Sequence, residues 1–152
     1  MSNTQAFCSQ AKVDFMNGLH ALGPSVIRAG TTKDVLKAAL FLATATINAT
    51  TTVYSATGEV SGTNYSAGGE IVTTATAPTL DGTTAHFTPS ASIVFTNVTL
   101  ATAFDAMLLY NSTSATDLAI SVHTFGSQTV TAGDFTLTMP TNDGTTGLVR
   151  IA

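Results

Sequence analysis

Asp34-Val35-Leu36-Lys37-Ala38-Ala39-Leu40-Phe41-Leu42-Ala43-Thr44-Ala45 is the stretch on which the fold turns. Leu36, Ala38, Leu40 and Leu42 share one parity, and Val35, Ala39 and Phe41 share the other. In a strand, alternate residues face opposite ways. Apolar residues on both parities therefore predict a central strand buried on both faces. A short helix fits the same letters, because a short apolar run carries no period of its own. The run from Val35 to Ala45 is 11 residues long and contains Lys37, well short of the ~20 residues that cross a bilayer. No membrane partner is expected.

Downstream the two-residue period continues. Glu70–Ala75, Ala85–Phe87, Ser92–Leu100, Phe104–Tyr110, Leu118–Phe125, Asp134–Met139 and Leu148–Ile151 read as further strands. Phe104–Tyr110 is apolar on both parities, like the opening stretch. Leu118–Phe125 alternates, with Leu118, Ile120 and Val122 on one side and Ala119, Ser121 and His123 on the other. Turn residues separate the runs at Asp81-Gly82, Asn111-Ser112-Thr113-Ser114, Ala132-Gly133 and Asn142-Asp143-Gly144. Between strands, Thr44–Glu70 carries Gly58, Gly62, Gly68 and Gly69 in a Ser/Thr/Asn background. It reads as one long loop, with brief strand character near Thr52–Ser55 and Val60. Such a loop in a compact domain is functional or packed on a neighbour.

Upstream the period changes. Phe7, Ala11, Phe15, Leu19 and Leu22 recur every three or four residues, which predicts one amphipathic helix from about Gln5 to His20. Asn3 or Thr4 can cap it, and Gly18 or Gly23-Pro24 can end it. The expectation is thus a mainly β chain: an antiparallel β-sandwich or jelly-roll-like domain with one N-terminal amphipathic helix. Residues 1–152 form a single domain, with residues 1–30 as helix and arm and residues 31–152 as the sandwich.

Composition agrees. Charged residues are only 9% of the chain, against about 25% in ordinary soluble domains. The 30 Thr fill much of that gap. Thr is β-branched and wettable, and so suits a pleated, half-exposed surface. Mean hydropathy is +0.32, which suggests that a partner covers part of the surface. Lys12, Arg28, Lys33 and Lys37 lie in the first 37 residues, and Arg150 is the only other base. A nucleic-acid binder needs a dense basic stripe, so no nucleic-acid partner is expected. The start of the chain lacks a signal peptide's basic and apolar regions, which implies synthesis in a cytoplasm without classical export. Chance in a Thr-rich chain accounts for the Asn-x-Ser/Thr matches at Asn48, Asn64, Asn97 and Asn111.

Motifs of known chemistry are missing. There is no Gly-x-Ser-x-Gly elbow; Tyr65-Ser66-Ala67-Gly68 comes nearest but lacks the first Gly. Neither a P-loop nor Gly-x-Gly-x-x-Gly occurs. His20, His86 and His123 lack the close spacing of zinc ligands, although His86 and His123 would meet if their strands were neighbours. Cys8 falls in the first turns of the expected helix, where the dipole lowers a thiol pKa. A nucleophile would also need a nearby His, so a small buried or partner-facing side chain is the expected reading. Asn142-Asp143-Gly144 has too few acids for a calcium loop and reads as a turn. Tyr54 and Tyr65 offer aromatic faces to a glycan, but rings that pin the loop to the sheet account for them more simply. No catalytic residue, metal ligand or cofactor is expected, and the chain does not read as an enzyme.

The segment Thr51-Thr52-Val53-Tyr54-Ser55-Ala56-Thr57-Gly58-Glu59-Val60-Ser61-Gly62-Thr63-Asn64-Tyr65-Ser66-Ala67-Gly68-Gly69 resembles small virion proteins of tailed bacteriophages. Their pattern is roughly T-x-Y-x-x-x-x-E-V-x-G-x-x-Y-x-x-G-G. Leu108-Leu109-Tyr110-Asn111, Gly133–Pro140 and Gly147–Ala152 are similar too. The resemblance implies a structural virion protein, made in the host bacterial cytoplasm and located in the virion. Within a virion a head decoration (cement) protein is favoured, with the major capsid protein or other virion subunits as partners. These small β domains are often trimeric, so a homotrimer is the favoured assembly. A tail, neck or baseplate subunit is the alternative, and a host-receptor or glycan-binding module is the second. Phe7, Lys12 and Phe15 on the helix, and Tyr54, Glu59 and Tyr65 in the loop, are the candidate partner contacts.

Overall fold

The computed structural model describes residues 2–16, 18–23 and 32–152. Its elements in chain order are β1 (Ala6–Phe7), α1 (Ser9–Met16), β2 (Leu36–Leu42), β3 (Glu70–Ile71), β4 (Thr79–Asp81), β5 (Thr84–Phe87), β6 (Ile93–Asn111), β7 (Leu118–Leu137) and β8 (Val149–Ile151). The chain is mainly β. All pairings are antiparallel, in a five-stranded sheet ordered β1-β7-β6-β2-β3 and a three-stranded sheet ordered β4-β5-β8.

The apolar run at 34–45 is a strand, not a helix. β2 lies between β6 and β3, and both its faces are covered. Leu36, Ala38 and Leu40 enter one apolar cluster, while Ala39 and Phe41 enter a second. The inner half of β6 does the same, sending Met107 and Leu109 one way and Ala106, Leu108 and Tyr110 the other. The first cluster also holds Phe87, Val149 and the outer half of β6. The second is closed by Cys8, Ala11, Ala45 and Ile47.

Two pairs of expected strands are each one long strand. β6 has 19 residues and β7 has 20. A straight strand of that length spans about 60 Å, whereas a compact chain of this size has a radius of gyration of about 15 Å. The hairpin must therefore bend. Its register shifts five times, and four of the shifts lie between Phe95 and Ala106. Bulges of this kind bend and twist a ribbon. The bend gathers rings from both arms: Phe104–Phe135 is T-shaped at 4.9 Å, and Phe125–Phe135 and Phe95–Phe135 lie at 5.6 and 6.2 Å. Tyr65 shows where the outer arm goes. Its hydroxyl accepts Leu40 N–H of β2 at 3.0 Å, while its ring stacks on Phe95 at 5.7 Å. The outer half of β6 thus lies back over β2.

Ala132-Gly133, read as a turn, is part of this bulging. Ala132 sits at φ 44° within β7, and its N–H bonds Thr99 Oγ1 at 3.0 Å. The alternation expected over Leu118–Phe125 is also corrected. A register shift at Leu109/Tyr110 breaks it, so Ala119 and Val122 share the second cluster while Ile120 enters the first.

The N-terminal amphipathic helix is corrected to a short piece of 8 residues. Its expected first turn is strand β1, because Ala6 and Phe7 pair with Val122 and Ser121 on the open edge of β7. Cys8 N–H then bonds Ile120 O at 3.0 Å, and Ser9 N–H bonds Ala49 O at 2.8 Å. The expected stop at Gly18 is correct. Gly18 has φ 70°, Leu19 N–H bonds Asp14 O and Gly18 N–H bonds Phe15 O, the pattern of a Schellman cap. Leu19 is accordingly exposed, outside the apolar stripe to which its spacing assigned it.

Candidate functional site

The long loop has no strand between Leu42 and Glu70, only isolated bridges at Val53, Glu59 and Thr63. It is nonetheless tied down through one carboxylate. Glu59 Oε2 accepts the Tyr54 hydroxyl at 2.6 Å, and Oε1 accepts the Tyr65 hydroxyl and Gly68 N–H, each at 2.8 Å. Tyr110, on β6, closes the circuit by donating its hydroxyl to Gly68 O at 2.8 Å. The Tyr54 ring stacks on Tyr110 at 4.7 Å and 14°. Burial, with Glu59 alongside, raises the Tyr54 and Tyr65 hydroxyls far above the ordinary tyrosine range. Burial, helped by Asp117 and Glu59, pushes Tyr110 up to about 12. All three stay protonated donors at physiological pH.

The glycines of this segment are placed by contact. At Gly62 a Cβ would collide with Thr99 O, and at Gly69, where φ is 72°, with Ala38 O. Both let the loop backbone lie directly against a strand. Tyr54, Glu59 and Tyr65 are therefore brought together, and their polar atoms are occupied by one another and by the sheet. Their joint presence was readable; the knot was not, because Tyr110 and the Leu40 amide come from strands far off in sequence.

The helix candidates separate. Phe7 and Phe15 stack at 5.9 Å and are half-buried against both apolar clusters. The Lys12 side chain lies outside the described residues. Cys8 precedes α1 and is a small, fully buried side chain, as expected, and burial pushes its thiol up to about 11. His86 and His123 sit on different sheets, on β5 and β7, so they do not form the pair that neighbouring strands would have made. Among the described residues no group of three or more His, Cys, Asp or Glu is placed to hold a metal ion. No described helix is long and apolar enough to cross a membrane.

A groove of about 440 Å³ opens beside Phe7, Thr84, Ser121, His123, Val149 and Arg150. In it Ser121 Oγ lies 2.8 Å from His123 Nε2. Burial lowers His123 to about 4, so its imidazole is neutral. Among the described residues no carboxylate bonds this ring, so the serine–imidazole contact lacks the acid that orients a catalytic histidine. At Asn142-Asp143-Gly144 the expected turn is present. The Asp143 carboxylate accepts Thr145 N–H, Thr146 N–H and the Thr146 hydroxyl, and these bonds, the Thr146 amide first, hold its pKa below the usual range.

One surface escaped the sequence reading. Leu80 pairs with Ala85, and Ala85 with Ile151. The three form a row across the small sheet, on the same side as the buried pair Phe87 and Val149 but beyond the core. Leu80 is 69% exposed and Ile151 44%. The only advance signal was Leu80 within Thr79-Leu80-Asp81-Gly82, whose strand β4 was not anticipated. No protein-family model matches this chain, and no curated protein or solved structure matches it either.

Proposed function

We propose that this chain is a non-enzymatic structural subunit of a tailed-bacteriophage virion, and within the virion a head decoration (cement) protein. The observation that carries the reading is the knot around Glu59. The pattern residues Tyr54, Glu59, Gly62, Tyr65, Gly68 and Gly69 all hold the long loop against the strands. A pattern built of such residues belongs to an architecture and not to a reaction. On this reading the resemblance of the segment to small virion proteins reflects how the loop is built, and the outer arm of β6 lying over β2 supports a β-sandwich-like reading of the domain. Exposed Ile71, Leu80 and Ile151, on a surface with few charges, suit a subunit covered by neighbours. Those neighbours are the major capsid protein or other virion subunits and further copies of the chain, a trimer being favoured.

Counting copies in purified particles by cryo-electron microscopy tests the proposal. Hundreds of copies on the head shell are expected. Tens or fewer at the tail or neck would move the chain to the alternative role, and absence from particles would overturn the reading.

A further inference from the structure

Beyond α1 the chain turns back and buries a set of polar groups against the end of β6. Asn111 is fully buried, His20 is 7% exposed and Asp14 3%. The Asn111 amide nitrogen faces Leu19 O at 3.0 Å, Asp34 Oδ2 at 2.8 Å and His20 Nδ1 at 3.2 Å. Asp34 Oδ2 also accepts Ala21 N–H at 2.6 Å. On the other side, Asn111 Oδ1 accepts Thr113 N–H at 3.0 Å. These partners leave the amide one orientation, nitrogen toward the cluster. His20 Nδ1 faces an NH2 group and finds no acceptor there for a proton of its own, so the neutral ring carries its single proton on Nε2. That nitrogen lies 3.9 Å from Asp14 Oδ2, and among the described residues neither atom has a hydrogen-bond partner.

On the Nδ1 side the pocket suits a neutral imidazole and not an imidazolium. A second proton would sit on Nδ1 and point at an NH2 group. We propose that His20 is an acid-sensitive latch: its protonation opens the seam between the N-terminal segment, residues 3–23, and the sheet. Among the described residues, the groups facing the ring are Asp14 from α1, Asp34 at the entry to β2, Asn111 from β6, and the Phe15 ring at 4.8 Å. Burial lowers the His20 pKa and outweighs the two carboxylates, which raise it. The released segment takes up a proton at higher pH than the docked one does. Docking is therefore fully stable above the ordinary histidine value of 6.5 and weakens as pH falls through it toward the lowered one.

Cys8, the only cysteine and fully buried within this segment, reports the opening. The full chain is labelled with 4,4′-dithiodipyridine between pH 7.5 and 5.0, with each rate divided by that of the urea-unfolded chain. The normalised rate is expected to rise as pH falls, by up to roughly tenfold per pH unit, while β6 amides stay protected from hydrogen exchange. His20→Gln, which can accept from Asn111 but not titrate, should abolish the rise. Asp14→Asn should leave the onset of the rise unchanged but make it larger and carry it further toward low pH, because Asp14 favours the charged ring of the docked segment. A flat rate, a rise that persists in His20→Gln, or simultaneous loss of β6 protection would overturn the latch. If His20→Gln does not fold, the wild-type ring decides by NMR: a His20 midpoint at 6.5 or above overturns it, and one below 6.5 that tracks the labelling sustains it.

Discussion

The loop from 43 to 69 and the outer arms of the β6–β7 hairpin invert the usual association of regular structure with constraint. The loop has almost no secondary structure, yet Glu59, three tyrosines and two closely packed glycines bind it to the sheet. The outer arms are continuous, though bulged, strands, yet much of β7 beyond Phe125 is exposed, and among the described residues it pairs there with β6 alone. A ladder satisfies backbone groups but does not by itself bury anything. Side-chain hydrogen bonds in a partly desolvated site, and backbone laid directly on backbone, hold a segment more specifically.

Breaking the loop should therefore cost more than breaking the arm. Gly69→Ala places a methyl group on Ala38 O at a positive φ and is expected to destabilise by about 4 kcal/mol or more, enough to lose soluble protein. Normal yield and urea midpoint would show that the loop does not lie as close as it does here. Glu59→Ala strands two hydroxyls and an amide and should cost about 3 kcal/mol in urea unfolding, with Glu59→Gln recovering part of it. Phe135→Ala removes the ring that joins both arms at the bend; it is only half-buried, so about 2 kcal/mol is expected. A Phe135→Ala loss larger than that of Glu59→Ala would reverse the comparison.

Alkaline pH sharpens it further. Tyr54, Tyr65 and Tyr110 have folded-state values raised above the unfolded value of 10. Their contribution is complete below pH 10 and is lost as pH rises through the folded values. Hydrogen exchange between pH 9 and 11, corrected for intrinsic rates, should show the loop losing protection before the tyrosine-free arm. Equal loss would mean that the tyrosines do not control the loop. The smallest effect is expected at Ala132→Gly. Relief of the positive φ slightly exceeds the added chain entropy of glycine, for a gain of about 0.5 kcal/mol, and thermal unfolding should detect it as a small upward shift.

Legibility in the sequence followed the source of each constraint. β2 and the inner half of β6 were readable because burial on both faces writes apolar residues on both parities. Gly18 was readable as a stop because a Schellman cap needs a positive φ at one position. The helix start was misread because Phe7, Ala11 and Phe15 all turn toward the core at helical spacing, though Phe7 does so from a strand paired with β7. Ala132-Gly133 was misread because turns and bulges recruit the same residues. At the candidate site, the tyrosines and Glu59 lie within one segment and could be grouped, whereas Tyr110 and the Leu40 amide could not. The Leu80–Ala85–Ile151 row was invisible, since it exists only through the pairing of β4, β5 and β8.

The bend in the hairpin has a mechanical consequence. Because β6 runs unbroken from its pairing with β2 into the arm folded over β2, the two halves of the core are joined along a continuous strand as well as by packed side chains. Sliding one past the other would require the hairpin to straighten and the ring cluster at Phe104 and Phe135 to come apart. A tangential pull between them is thus resisted by covalent backbone and a hydrogen-bonded ladder, and the domain should yield to such a force only by unfolding as a whole.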